Sequence, residues 1–168
     1  MNRAQFESDA FKFLNLIFGH IQNQNVEIKP HWFIDHLCYR AHTDDEYQSL
    51  CAKFLEFSDL LIETQVSGRM ISTFKLHKPI VFNQFEIHLV ELPAPKKNKF
   101  TETGFEHIEI VCDVVLLDLA KKYSHLSLDL GGLKKEINPE LEIVFGRENL
   151  KFHNLSLEDV IQQERLQK

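Results

Sequence analysis

The chain has 168 residues, 43% of them apolar and 26% charged, with a formal net charge of −6. That length suits one domain or two small fused units, and it can bury a sizeable core to which 14 phenylalanines contribute. The acidic balance excludes general nucleic-acid binding, which needs positive charge against phosphate, and no apolar run approaches the roughly 20 residues of a membrane-spanning helix.

The first predicted element is a helix over 4–21, where Phe6, Ala10, Phe13, Leu14 and Ile17 recur on one face and Gly19 marks the end. Residues 22–31, polar and holding Pro30, lead to a strand in "FIDHLCYR". "TDDE" at 43–46 is a capping box, Thr43 accepting from the backbone and Glu46 reaching back. It opens a helix whose buried face is Tyr47, Leu50, Cys51, Phe54 and Leu55. Strands follow at 60–66, 70–76 and 85–91, with "SG" at 67–68 as a turn. "LPAPKKNK" at 92–99 has two prolines and no apolar period, and is the internal boundary.

Beyond it the order repeats. "FEHIEIVC" is a strand, and residues 114–124 form a short helix with Asp113 as its N-cap. A turn-rich stretch fills 125–140, and strands at 141–145 and 150–154 pair across "GREN". "SLED" at 156–159 caps a C-terminal helix. The predicted architecture is α+β: two βαβββ modules forming a curved mixed sheet around a cavity, with a helix added at each end. The segments are 1–30, 31–92, a linker at 93–99, 100–155 and 156–168, in one compact domain overall.

Cys38, Cys51 and Cys112 form no CxxC pair and leave an odd count, which fits a reducing compartment. The N-terminus has no secretory pattern, so the expected location is the cytoplasm.

Both modules start a strand with an acid followed by a histidine, Asp35–His36 and Glu106–His107. Alternation places His36 with Ile34, Cys38 and Arg40, and His107 with Phe105, Glu109 and Val111. Glu91 ends a strand face of Phe85, Ile87 and Leu89, and a carboxylate on an apolar face needs a partner such as a divalent ion. Matching the repeats sets His153, in "KFH", against Glu91. The four donors, His36, Glu91, His107 and His153, suit Zn²⁺, Ni²⁺, Fe²⁺ or Mn²⁺ and suit Ca²⁺ poorly. His77, ending the third strand, is a candidate neighbour of the site. Each residue also has a plainer structural reading, as a core histidine with one hydrogen bond or as a strand-end charge in solvent.

"DHLCYRAH", "SGRMISTFKLHKP", "VELP", "GFEHIEIV", "NPELEI" and "KFHNLSLEDV" carry a resemblance that covers about 30–165. The chain resembles the YecM-like proteins, a branch of the vicinal oxygen chelate superfamily that includes glyoxalase I and the extradiol dioxygenases. The resemblance implies paired βαβββ modules, with metal ligands from the first and last strands of each. Those positions are His36, Glu91, His107 and His153, the last in place of the usual glyoxalase Glu. It implies a divalent-metal-dependent isomerase, lyase or oxygenase, acting on a small oxygen-rich substrate by stabilising an oxyanion. Arg69, beside the turn, would pair a substrate carboxylate, and His77 would also face the substrate. Two alternatives stand beside this: a metal-free small-molecule binding module, and a purely structural metal site closed by four ligands. The expected partner is a small molecule alone; the oligomeric state is open.

Overall fold

The computed structural model describes residues 1–66, 68–97 and 99–166, so Ser67 of the predicted turn, Asn98 of the linker and the last two residues of the tail lie outside the described residues. The elements are α1 (Arg3–Asn23), β1 (Phe33–Arg40), α2 (Asp44–Phe54), β2 (Ser58–Val66), β3 (Arg69–Phe82) and β4 (Phe85–Pro93), then β5 (Gly104–Val111), α3 (Leu116–Lys122), β6 (Leu128–Asp129), a short 3₁₀ turn (Gly131–Lys134), β7 (Leu141–Val144), β8 (Asn149–His153) and α4 (Leu157–Leu166). The order is βαβββ twice, with a helix at each end, and the eight strands form one mixed sheet in the order β2-β3-β4-β1-β5-β8-β7-β6. The class is α+β, as the sequence predicts. Among the described residues no helix is long and apolar enough to cross a membrane.

Two compact units result: Met1–Leu14 with His36–Glu106, and Asn15–Asp35 with His107–Lys168. In the first, Phe6 meets Tyr39, Phe54, Phe57 and Phe105 with ring centroids 5.3–6.4 Å apart, and Phe54 meets Phe74 at 5.4 Å. Phenylalanine is thus spent on one aromatic core beneath α1 and α2, at spacings that favour edge and tilted contacts. The capping box forms with one change. Thr43 Oγ1 accepts from Glu46 N at 3.1 Å, while Glu46 Oε2 reaches back to His42 N at 2.7 Å rather than to Thr43 itself.

In the second unit, Leu116, Leu119, Ile108, Ile110, Leu150 and Phe152 supply the core. Trp32 joins it through an edge contact to Phe152 at 5.8 Å.

Three boundaries differ from the sequence expectation. α1 runs through Gly19, around which an added Cβ would meet nothing, and ends at Asn23; beyond it Asn25, with a φ of 53°, is the left-handed residue of a Schellman cap. There Val26 N bonds Ile21 O at 2.9 Å and Asn25 N bonds Gln22 O at 3.1 Å. β3 continues past Leu76 to Phe82, carrying Pro79 where the β3–β4 register shifts between Lys75 and Ile80. Such irregularities tolerate a residue without an N–H. α3 begins at Leu116 after Val115, and Asp113 does not cap it. Asp113 instead accepts from Trp32 Nε1 at 2.7 Å and pairs with His31 at 3.1 Å.

Candidate metal centre

Residues opposite each other in a sheet point to the same side, and sides alternate along each strand. In the first unit, β1 runs parallel to β4 with His36 opposite Leu89 and Cys38 opposite Glu91. β3 sets Thr73 opposite Glu91 and Ile71 opposite Pro93. One face therefore carries His36, Cys38, Arg40, Glu91, Thr73 and Arg69, and the aromatic core takes Leu37, Tyr39, Phe74 and Val90 on the other. His36 is 2% exposed and Glu91 is half-buried, one pleat along and one strand over. Arg40 is held by Glu106, whose Oε2 accepts from Nε at 2.6 Å and lies 2.5 Å from Nη2. The acid of the second acid–His pair is thus a structural partner of an arginine.

In the second unit, β5 runs parallel to β8 with His107 opposite Asn149, Glu109 opposite Lys151 and Val111 opposite His153. His107, Asn149, Glu109, Lys151 and His153 make this face mostly polar, with Val111 at its end. His107 is 1% exposed, and its Nε2 lies 3.1 Å from Glu109 Oε1. Lys151 Nζ donates to Glu109 Oε1 at 3.3 Å and pairs with Glu140 at 3.4 Å. Glu142, opposite Lys151 on β7, has its pKa raised, by burial first and against the pull of Lys151.

His153 is also buried, with Nε2 at 3.6 Å from Asp35 Oδ2 and from Glu109 Oε2. Its other nitrogen is fixed by Asn138. The Asn138 amide is oriented by Leu155, whose O accepts from Nδ2 at 3.0 Å and whose N donates to Oδ1 at 3.2 Å. Nδ2 also donates to His153 Nδ1 at 2.9 Å, so Nδ1 is an acceptor and the ring proton belongs on Nε2, toward the two carboxylates. Asp35 in turn accepts from Leu157 N, the start of α4, at 3.0 Å.

The predicted residues are distributed as follows. His36, Glu91 and Arg69 share a face of the first unit, and His107 and His153 share one in the second. His77 stands apart: it is four residues along β3 from Thr73, roughly 13 Å at 3.3 Å per residue, and pairs on the surface with Asp59 at 3.3 Å. Register makes Lys151 the counterpart of Glu91, since each lies opposite the residue two places after the strand histidine. His153 is one pleat further on. Glu109, Arg40, Lys151 and Asn138 were not singled out from sequence. Strand alternation already put Glu109 beside His107 and Arg40 beside His36, and that was the available signal. A cavity of about 730 Å³ opens elsewhere in the second unit, beside Cys112, Val115, Leu116, Leu133 and Pro139; none of the predicted site residues lines it.

The family model described as YecM protein matches residues 2–142. The chain is 30% identical over 172 residues to Protein YecM of Escherichia coli strain K12, spanning 94% of this chain and 91% of that one. A solved structure titled Structural Genomics, Protein EC4020, superposes with a TM-score of 0.81 at 27% identity, over 96% of this chain and 92% of the other. The hypothetical protein BH1468 from Bacillus halodurans C-125 superposes at 0.50 with 10% identity, over 74% and 95%, a likeness of fold alone. By sequence match along most of its length, the chain belongs to the YecM family.

Proposed function

We propose that the protein is a divalent-metal-dependent enzyme of the vicinal oxygen chelate type, with His36, Glu91 and His107 as the protein ligands. The observation that carries this reading is the donor set: two buried imidazoles and a half-buried carboxylate, which among the described residues make a candidate group for holding one ion. Two nitrogens and an oxygen suit a borderline transition metal such as Zn²⁺, Ni²⁺, Fe²⁺ or Mn²⁺. Three protein ligands leave room for a substrate, which sets this apart from a closed structural site. Bound there, the ion would supply Lewis acidity toward a substrate oxygen.

The chain's own residues do the rest. Glu109, beside His107 and neutralised by Lys151, is a carboxylate able to orient the imidazole or to hold a proton. His153 is assigned a positioning role, presenting Nε2–H toward Glu109 and Asp35, rather than that of a fourth ligand. The substrate is a small molecule, and the reaction is an isomerisation, lysis or oxygenation. The three free cysteines fit a cytoplasmic setting.

A metal-free binding module is the second reading. The 3.1 Å approach of His107 and Glu109 favours it, because it gives a buried imidazole a carboxylate neighbour without an ion. Metal analysis of protein purified without a histidine tag separates the two. About one equivalent of a transition metal, lost in His107→Ala, supports the enzyme reading. Absence of metal after reconstitution with each candidate ion sinks it.

A further inference from the structure

Two guanidiniums in the first unit have donors for which the described residues offer no acceptor. Arg40 ends β1 and is 9% exposed; its Nε and Nη2 are committed to Glu106, and its buried Nη1 has no hydrogen-bond partner among the described residues. Arg69 opens β3 and is half-buried. Its Nη1 donates to Ala94 O at 3.3 Å, and its buried Nε has no partner among the described residues. Buried donors are nearly always satisfied, so two of them side by side call for a ligand.

The register puts both on one face at one end of the sheet. Arg40 lies two residues past Cys38, which is opposite Glu91, and so flanks Pro93; Pro93 is opposite Ile71, two residues from Arg69. Two strand spacings, about 10 Å, separate the two backbones, a gap that two long side chains can close around a small group. Lys96, just past β4, brings a third positive charge. Burial first, and then Arg40, lowers the pKa of Arg69; burial, and then Arg69 and Arg40, lowers that of Lys96. The three cations therefore feel one another, and Glu91 and Glu106 are the carboxylates that offset them.

We propose that Arg40 and Arg69 form an anion subsite, and that the substrate carries a compact oxyanion group, a carboxylate or a phosphoryl group, whose oxygens accept from Arg40 Nη1 and Arg69 Nε. The proposal rests on the metal reading only for the rest of the substrate, which would extend along the same face toward Glu91 and His36. The anion contact itself needs no ion. Engaging Glu91 as a ligand would withdraw one of the two offsetting carboxylates and strengthen the positive field at Arg69.

The test is calorimetric titration of the full chain, stripped of metal with chelator, using inorganic phosphate and, separately, acetate, each against sodium chloride at matched ionic strength. Saturable binding of phosphate identifies a phosphoryl group and of acetate a carboxylate. Arg69→Ala should weaken that binding about tenfold or more, as the loss of a charge-assisted hydrogen bond predicts. Arg40→Lys keeps a cation beside Glu106 while removing the Nη1 donor, and should weaken it as well. Both variants should keep the wild-type melting temperature within a few degrees and the wild-type metal content. Neither anion binding more than chloride, or both variants binding like the wild type, overturns the subsite. Anion binding in a protein that takes up no metal removes the metal reading and leaves the subsite standing; metal uptake without anion binding does the reverse.

Discussion

The strand pairs β1/β4 and β5/β8 start alike and diverge two residues later. Both place a buried histidine on the first strand of a module, in parallel register with the last. In the first pair the next position on that face is Cys38, opposite Glu91, so the carboxylate stands on the last strand. In the second pair Glu109 takes the place of Cys38 and Lys151 the place of Glu91, so the carboxylate stands beside the histidine and a cation faces it. A duplicated frame thus carries opposite charge arrangements. Glu91 stands opposite Cys38 and feels the Arg40 guanidinium one pleat further on, whereas Glu109 stands opposite Lys151 and pairs with it directly at 3.3 Å. The frame fixes where the imidazoles go, and the charges decide which half can offer a carboxylate to an ion.

Exchanging the two counterparts breaks this comparison most sharply. Glu91→Gln should reduce metal affinity more than about a hundredfold, beyond the range typical of losing a supporting contact, in a competition titration with a chromogenic chelator. Lys151→Gln should leave metal content unchanged and instead destabilise the fold by about 3 kcal/mol, by leaving Glu109 without its cation. A lower urea midpoint at constant slope would record that loss. If Lys151→Gln strips the metal and Glu91→Gln does not, the assignment of roles to the two strand pairs is inverted.

A smaller effect is expected at Asn138. Asn138→Gly tolerates the backbone φ of 46° and deletes only the amide, so about 1–2 kcal/mol of stability should go. Nitrogen-15 spectra of the wild-type imidazoles should show His153 as the Nε2–H tautomer, and the variant should lose that preference. An Nδ1–H tautomer in the wild type would return His153 to the set of metal ligands.

The smallest effect is a titration. The hydrogen bonds from Trp32 and His31 hold the Asp113 carboxyl at about 2, below its ordinary 3.8. The stability the contact contributes is therefore fully present above 3.8, and the contact is lost as pH falls through about 2. The chain has one tryptophan, so its fluorescence should change through that window in the wild type and stay flat there in Asp113→Asn.

The fold was legible because its signals are local. Alternating apolar residues marked the central strands, the Thr43–Glu46 box marked α2, and the acid–His pair marked the duplication. The order of elements, however, does not fix register. Matching Glu91 to "KFH" selected His153, and the pairing of Glu109 with Lys151 moved the equivalence back by one pleat. A two-residue slip keeps every side chain on its face, so the hydrophobic pattern cannot detect it. The partners that decide roles are distant in sequence: Arg40 with Glu106, Trp32 with Asp113, and Asn138 with His153. None of these pairs leaves a periodic trace. Asp113 shows the cost of a purely local reading, since a residue with every credential of a helix cap is occupied by an indole and an imidazole instead.

The bond from the Leu157 amide to Asp35 has a practical side. The residue before His36 is fastened to the opening of the final helix, so the end of the chain is wired to the strand that presents the first proposed ligand. Trimming from Leu157 onward, or fusing bulky cargo tightly there, would disturb Asp35 first and His153 beside it, well before any unfolding became visible.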